Sequence, residues 1–438
     1  MYLHSQNIAL LGLGKENLAL LHWLFKNKYQ GQITICDFRQ KEQLEVVLKN
    51  NKISADKIKK LKWRLQFSFN KNLFDFEILF RSPGWSIHCP GIQEALKHKV
   101  LLTSAMEFFL VACPSKNIIG VTGSKGKGTT ASLIYEILKK DGRKTWLAGN
   151  IGIAPFSFFD KIKKTDWLVL ELSSFQLETL NISPKYAVIT NLFKEHLAPA
   201  DPLNPNYHRS YQDYWQAKLQ ITLHPNNKFL IINNKLKHKI GLEKINSKIV
   251  YFKAANLPTG LKGKYNQENI GAAVEISKIL KISAPIYKEV INDFHNLEHR
   301  LELVANKNGV KYFDNSFSTT PESTVLDLES FNEPIIQIAG GADKGANFKK
   351  LATTIAKKVK TLILLPGEAT PRLLQEIQKT KFSKSHIFMA QDMKTAVMIA
   401  KKNTKKGDVV ILSTACASFG IFKNYKERGD QFQYYVKK

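Results

Sequence analysis

Short apolar runs recur along the chain, each closed by a glycine-rich or polar turn and followed by a stretch whose apolar positions fall at helical spacing. Strands and helices in alternation predict largely parallel sheets covered on both faces. The run Asn7 to Leu13 leads into a turn with Gly12 and Gly14, then a helical pattern over Leu18 to Phe25, then a strand over Ile33 to Cys36 with Asp37 at its end. That is the layout of a nucleotide-binding βαβ unit, although Asn17 stands where a third glycine would fall, so a tight turn with no ligand fits as well. Strand and turn signals at Glu77 to Phe80 and Ser82-Pro83-Gly84 extend this first series to about residue 110.

A second series opens at Asn117, with strands expected over Trp167 to Leu172 and Tyr186 to Asn191. Pro199, Pro202 and Pro205 mark 198–206 as a stiffened surface loop. A third series starts near Leu297, with strands around Val310 to Asp314, Ile335 to Ile338, Leu362 to Leu365 and Val409 to Leu412. The expectation is an α/β chain of three domains, over residues 1–110, 111–296 and 297–438.

The 438 residues, 44% of them hydrophobic, suffice for several cores. Lys15, Glu16 and Asn17 interrupt the apolar start of the chain, and no later run approaches the roughly 18 apolar residues of a membrane helix, so a soluble protein is expected. Cys36, Cys89, Cys113 and Cys416 lie far apart, which argues against a disulfide framework or structural zinc and fits the cytoplasm. A net charge of +28 suggests polyanion binding, yet runs such as Lys57-Ile58-Lys59-Lys60 and Lys357-Lys358-Val359-Lys360 sit in amphipathic patterns, where a solvated face is the ordinary reading. A nucleic-acid-binding NTPase would want those charges clustered with aromatic residues on one face.

The chemistry starts at Val121 to Thr130. A buried strand runs into Thr122-Gly123-Ser124-Lys125-Gly126-Lys127-Gly128-Thr129-Thr130 and a helix follows. Backbone N–H groups of such a loop point at an anion, the helix dipole adds positive potential, and Lys127 can reach the outer phosphates. The alternative is a glycine-rich turn with a surface lysine. Glu171 closes an apolar strand, a position from which a carboxylate can face a nucleotide-bound magnesium. Asn191 ends the next strand, with Glu195 and His196 in the loop beyond it.

Further along, Gly149-Asn150-Ile151-Gly152, Glu171-Leu172-Ser173-Ser174-Phe175-Gln176-Leu177-Glu178, Gln216-Ala217-Lys218-Leu219, Asn266 and Asn269, Glu298-His299-Arg300, and Ser413 to Ser418 followed by Phe422-Lys423-Asn424-Tyr425 stand in order. With these strings the sequence resembles the Mur ligases, ATP-dependent enzymes that assemble the peptidoglycan stem peptide, and most closely their D-glutamate-adding branch. The resemblance implies a Rossmann-like uridine-diphosphate-binding domain, a central phosphate-loop domain and a Rossmann-like C-terminal domain. It implies a monomeric enzyme that takes ATP, UDP-N-acetylmuramoyl-L-alanine and D-glutamate through an acyl phosphate.

By the same resemblance Glu171, His196 and Lys218, the last as a carbamate, would hold magnesium, with two ions expected. ATP would meet Gly123 to Thr130, Asn266, Asn269 and Arg300. The nucleotide sugar would meet Gly14, Lys15, Asp37, Phe38, Arg39, Ser82, Asn150 and Ser173. Thr319, Lys344, Ser418, Phe419 and Tyr425 would receive the amino acid, and the segment begun by His299 and Arg300 would close over ATP.

Two places break the family pattern. Gly128 stands where the phosphate loop carries a Ser or Thr whose hydroxyl ligates magnesium, and Thr129 points about 100° away on the helix. Asn315 and Phe317 interrupt the family's Asp-Ser-Lys core, which removes a cation near the anionic substrates. These departures keep three alternatives open: an L-alanine-adding relative, a folylpolyglutamate-synthetase-like ligase, or a degenerate ligase that binds without turnover.

Overall fold

The structure is a computed structural model that describes residues 3–197, 206–239, 241–263, 265–343 and 345–438, with the side chain of Lys244 left aside. The proline-marked stretch 198–205 and Lys344 therefore lie outside the described residues. The chain forms two compact units, one of residues 1–253 and 269–290, the other of 254–268 and 291–438.

The first unit carries two sheets. In one, β1 (Ile8–Leu11), β2 (Ile33–Asp37), β3 (Lys62–Leu65), β4 (Ile78–Arg81) and β5 (Leu101–Thr103) lie parallel in the order β3-β2-β1-β4-β5. In the other, β6 (Asn117–Thr122), β7 (Thr145–Gly149), β8 (Trp167–Glu171), β9 (Tyr186–Ile189), β10 (Phe229–Asn233) and β11 (Lys248–Phe252) run parallel in the order β11-β10-β9-β6-β8-β7. Their central strands are buried on both faces, which is why they read as unbroken apolar runs. One core cluster extends across both sheets, with Trp23 packed edge-on to Phe108 and Phe159.

The imperfect glycine turn after β1 is a built feature. Asn17 is wholly buried, and its Nδ2 donates to the carbonyls of Leu11, Gly12 and Phe80 at 3.3, 2.9 and 3.0 Å. A third glycine could not make these bonds, so Asn17 locks the turn to β4. Gly12 has φ +79°, and a Cβ there would meet Ser82 Oγ at 2.6 Å and Trp85 Nε1 at 2.9 Å.

The second unit holds the third sheet: β12 (Glu302–Lys307), β13 (Val310–Asp314), β14 (Ile335–Ala339), β15 (Val359–Leu364), β16 (Ile387–Met389) and β17 (Val409–Leu412), ordered β12-β13-β17-β14-β15-β16. Only β12 runs antiparallel to its neighbour. Apolar layers cover both faces. All four cysteines are free, and among the described residues no helix is long and apolar enough to cross a membrane.

Candidate active site

In the first unit the phosphate loop joins β6 to the helix Lys127–Lys140. Gly126 caps that helix at φ +78°, and a Cβ on it would fall 2.0 Å from Asn269 Oδ1; one on Gly123 would fall 1.9 Å from Thr190 Oγ1. Close approach and left-handed backbone together demand glycine at both positions. The end of β9 braces the loop: Asn191 Oδ1 accepts from Lys125 N at 2.8 Å, and Asn191 Nδ2 and Thr190 Oγ1 donate to Lys125 O at 3.0 and 2.7 Å. Asn191 is thereby committed to the loop and is not free to act as a ligand.

Cations crowd this edge of the sheet. Lys127 Nζ donates to the carbonyls of Gly123 and Ser124, both at 3.0 Å, and Lys218 Nζ donates to Gly123 O at 2.8 Å. Lys218 is 1% exposed and lies 4.5 Å from the Tyr214 ring centroid. Burial, then the charge of Lys127, holds its pKa well below the usual lysine range, with Glu195 and Glu171 opposing. Glu195 makes an ion pair with Lys125; burial raises its pKa, but the Lys125, His196 and Lys127 charges outweigh that and leave it below the ordinary carboxylate value.

The groups implied for magnesium fit that role chemically. Glu171 is 1% exposed; its Oε1 accepts from Asn150 Nδ2 at 3.1 Å, while its Oε2 is buried with no hydrogen-bond partner among the described residues. An orphaned carboxylate oxygen costs free energy unless a cation or donor meets it. His196 retains solvent exposure at its surface, yet packing around the imidazole, then the charges of Lys218, Lys127 and Lys125, push its pKa down to about 3 against the pull of Glu195. The ring is neutral at physiological pH, the form that ligates metals.

Beside β1 and β2 lies a cavity of about 650 Å³ that includes Gly14, Asp37, Phe38, Arg39 and Ser82. Lys15 opens the helix Lys15–Lys26 and does not line it. Asn150 and Ser173 are also elsewhere: Asn150 bonds Glu171, and Ser173 caps the short helix Ser174–Leu177. Asp37 is wholly buried, with its oxygens accepting from Leu13 N, Arg39 N, Arg39 Nε and Arg39 Nη2. Burial raises its pKa, but the Arg39 and Leu13 donors more than offset that and hold it low. Asp37 thus orients Arg39, which is the group left to face a ligand. Sequence reading missed Phe69, Trp85, His88, Tyr207 and Arg209 on the cavity wall. They belong to loops with no motif around them.

A buried polar bridge ties the two sheets of this unit together. Arg81, at the end of β4, pairs with Glu178 Oε1 at 2.7 Å and donates to the carbonyl of Phe175. His208 Nε2 lies 2.9 Å from Ser174 Oγ, with its ring stacked on Phe175 at 4.6 Å. Gln176 Nε2 donates to Glu16 Oε1, and Glu16 Oε2 is buried without a hydrogen-bond partner among the described residues. Burial of that carboxyl raises its pKa to about 7, against the Gln176 bond and the Arg81 charge.

In the second unit Arg300 places its guanidinium 3.5 Å from the centroid of Phe317, which meets Tyr425 edge-on at 5.0 Å. Phe317 therefore occupies the family's lysine position as an aromatic support for Arg300. Buried Arg428, missed in the sequence, donates to Ser316 Oγ, Ser316 O and Cys416 O at 3.0, 2.8 and 3.2 Å and ties the 314–318 loop to the 413–418 loop. Ser418 is buried, Phe419 exposed, and Thr319 and Tyr425 half-buried. His299 is hydrogen-bonded to Asp314 at 2.7 Å; burial lowers its pKa, but Asp314 outweighs that and raises it. Asn266 lies in this unit, whereas Asn269, against the phosphate loop, lies in the first.

A phosphate loop on a parallel sheet, beside a buried carboxylate and an imidazole, defines a nucleotide-using α/β enzyme. Residues 121–287 match the Mur ligase middle domain and residues 299–416 the Mur ligase glutamate ligase domain. UDP-N-acetylmuramoylalanine–D-glutamate ligases of Clostridium kluyveri and Clostridium acetobutylicum are 35% and 34% identical over 99% of this chain and 96% of theirs. The chain belongs to the Mur ligase family and is an ATP-dependent ligase. The fold is shared with the UDP-N-acetylmuramate–alanine ligase of Thermotoga maritima (TM-score 0.59, 15% identity, 99% of this chain and 100% of that one). It is shared too with the MurF ligase of that organism in complex with ADP (TM-score 0.60, 15% identity, 99% and 96%).

The Glu16 carboxyl has a pH signature. Its folded pKa of about 7 lies above the ordinary 4.5, so the folded chain holds that proton more tightly. Its burial costs nothing below pH 4.5, costs progressively more from there to about pH 7, and reaches a plateau above, on the order of 3 kcal/mol. Glu16→Gln keeps the acceptor for Gln176 and removes the titration. Its unfolding free energy should match wild type near pH 4.5 and exceed it by ~2–3 kcal/mol at pH 8. A difference that does not change with pH contradicts this.

Proposed function

We propose that this chain joins D-glutamate to UDP-N-acetylmuramoyl-L-alanine at the expense of ATP, working as a cytoplasmic monomer in peptidoglycan precursor synthesis. The observation that carries the reading is the convergence of Lys127 and Lys218 on Gly123 beside Glu171 and His196, in a chain whose relatives bear that ligase name. The first sheet with its cavity serves as the uridine-diphosphate-binding domain, the second as the ATP-binding domain and the third as the amino-acid-binding domain.

The terminal carboxylate of the nucleotide sugar and the γ-phosphate of ATP are both anions. Their approach needs positive charge already in place, because fixed charges need no reorganisation as the reaction proceeds. Lys127, at the first turn of its helix, and the loop N–H groups grip the phosphates. Carboxylate oxygen attacks phosphorus and ADP leaves; the amine of D-glutamate then attacks the acyl carbon, phosphate departs and an amide remains. Arg39, fixed by Asp37 through its Nε and Nη2, presents Nη1 and its charge to the diphosphate of the nucleotide sugar. Arg300, supported on Phe317, and Ser418 and Tyr425 serve ATP and the amino acid.

Glu171, His196 and Lys218 would hold magnesium, which when bound offsets charge on the transferring phosphate. Burial shifts Lys218 toward the uncharged amine, the form that takes up carbon dioxide to give a carbamate and release a proton. A carbamate supplies an anionic oxygen, where a bare ammonium would repel the cation.

Phosphate release with ATP, UDP-N-acetylmuramoyl-L-alanine and a panel of amino acids tests the assignment. D-Glutamate should stimulate release at least ~10-fold over L-alanine, L-glutamate and no acceptor. Equal release with all acceptors removes the amino-acid assignment, and none with any favours a ligase that binds without turnover.

With Gly128 in the loop, a water would take the place of the usual hydroxyl on magnesium. Gly128→Ser should lower the magnesium concentration for half-maximal turnover by ~3–10-fold, at about 1 kcal/mol for the regained ligand. An unchanged requirement contradicts the water.

A further inference from the structure

The edge of the second sheet opposite the phosphate loop has a charge pattern that ligation does not use. β6, β7, β9 and β10 are each entered directly from a lysine, Lys116, Lys144, Lys185 and Lys228, and β11 begins with Lys248. The backbone ladder holds them in register: Lys228 N donates to Lys185 O at 2.9 Å, Lys248 N to Lys228 O at 3.0 Å, and Trp167 N to Lys144 O at 2.8 Å. All are exposed except half-buried Lys185, whose ammonium lies 5.3 Å from the Tyr186 centroid. None of the five forms an ion pair with a carboxylate among the described residues. Three carboxylates near this edge are engaged elsewhere: Asp141 with Arg143 at 2.7 Å, buried Asp166 with Trp146 Nε1 at 2.8 Å, and buried Glu107 with Asn181 Nδ2 at 3.1 Å.

Three of these lysines, Lys116, Lys185 and Lys228, also line one cavity of about 510 Å³, together with Ser183 and Asn226. They precede β6, β9 and β10, three adjacent strands whose spacing of about 4.8 Å sets their origins roughly 10 Å apart end to end. From Lys116 to Gly123 the chain runs the length of β6, about 20 Å, so an occupant here would not compete with ATP. We propose that this cavity is a second anion site, built for a soluble molecule that carries two or more phosphates.

A concave pocket favours a small oligophosphate over a flat bilayer. A membrane-docking edge would also present several large apolar side chains, yet Trp146, Trp167 and Phe229 are half-buried, and Val111 and Leu223 are the exposed large hydrophobics near the cavity lining in sequence. Uncompensated like charges held in register gain most from a ligand that neutralises several at once.

The test is calorimetric titration of the full chain with inorganic triphosphate, its phosphate loop first saturated with a non-hydrolysable ATP analogue and magnesium and its β1–β2 cavity with UDP-N-acetylmuramoyl-L-alanine, at about 0.15 M salt. Wild type should take up one further equivalent. The triple variant Lys116→Gln/Lys185→Gln/Lys228→Gln should bind it at least ~10-fold more weakly, with ligation within twofold of wild type. No uptake by wild type, or equal uptake by the variant, overturns the proposal. Should the triple variant fail to fold, Lys228→Glu at its exposed position must show the same direction of loss. In a parallel arm, vesicles with about 30% phosphatidylglycerol should not retain the protein. Vesicle binding that depends on these lysines, without triphosphate uptake, would assign the edge to a bilayer instead.

Discussion

The carbonyl of Gly123 accepts from two lysine ammonium groups, and much of the first unit is arranged around that meeting. Lys127 reaches it from the helix that the loop starts, and Lys218 from the helix Tyr211–Leu219. Two cations so close repel each other, and burial makes the repulsion stronger than it would be in water. One of them must lose its charge or an anion must arrive. Both responses are useful here: Lys218 is pushed toward the neutral amine, and the field that remains attracts phosphate. The glycines at 123 and 126 follow from the same crowding, since Thr190 and Asn269 occupy the space a side chain would need.

That cationic edge is coupled to the cavity beside β1 and β2 through side chains within one compact unit. Arg81 leaves β4 next to the cavity loop and pairs with Glu178, in the segment that follows Glu171. Glu16, two residues beyond the glycine turn, meets Gln176 of the same segment. Buried ion pairs contribute little net stability but penalise misplacement, so this bridge sets where the cavity stands relative to the phosphate loop. A substrate whose one end lies in the cavity and whose reacting carboxylate must reach the loop needs such registration.

The central strands β1, β2, β4, β6, β8, β9, β13, β14, β15 and β17 were legible in the sequence because each is a buried apolar run closed by a turn, and the phosphate loop because its glycines and Lys127 sit between a strand and a helix; β10 was passed over, and β3, β5, β7, β11, β12 and β16 were missed because partly exposed residues break up their apolar pattern. Lys218 was legible only through its family context, since no spacing marks a lysine as buried. Arg81 and Arg428 stayed hidden for that reason: a buried arginine reads like a surface one until its partners, Glu178 or Ser316, are brought to it by the fold. Asn17 looked like a defect in a glycine fingerprint, and its three hydrogen bonds make it the brace of that turn. Phe317 looked like a lost cation, whereas in the structure it supports one.

The central claim is that Lys127 and the phosphate loop around Gly123 serve to bring a carboxylate against the γ-phosphate. The direct measurement is transfer of oxygen-18 from a labelled terminal carboxylate of UDP-N-acetylmuramoyl-L-alanine during turnover with ATP and D-glutamate. Attack by that carboxylate on phosphorus predicts one labelled oxygen in each phosphate released. Phosphate free of label, with the amide still formed, would contradict it.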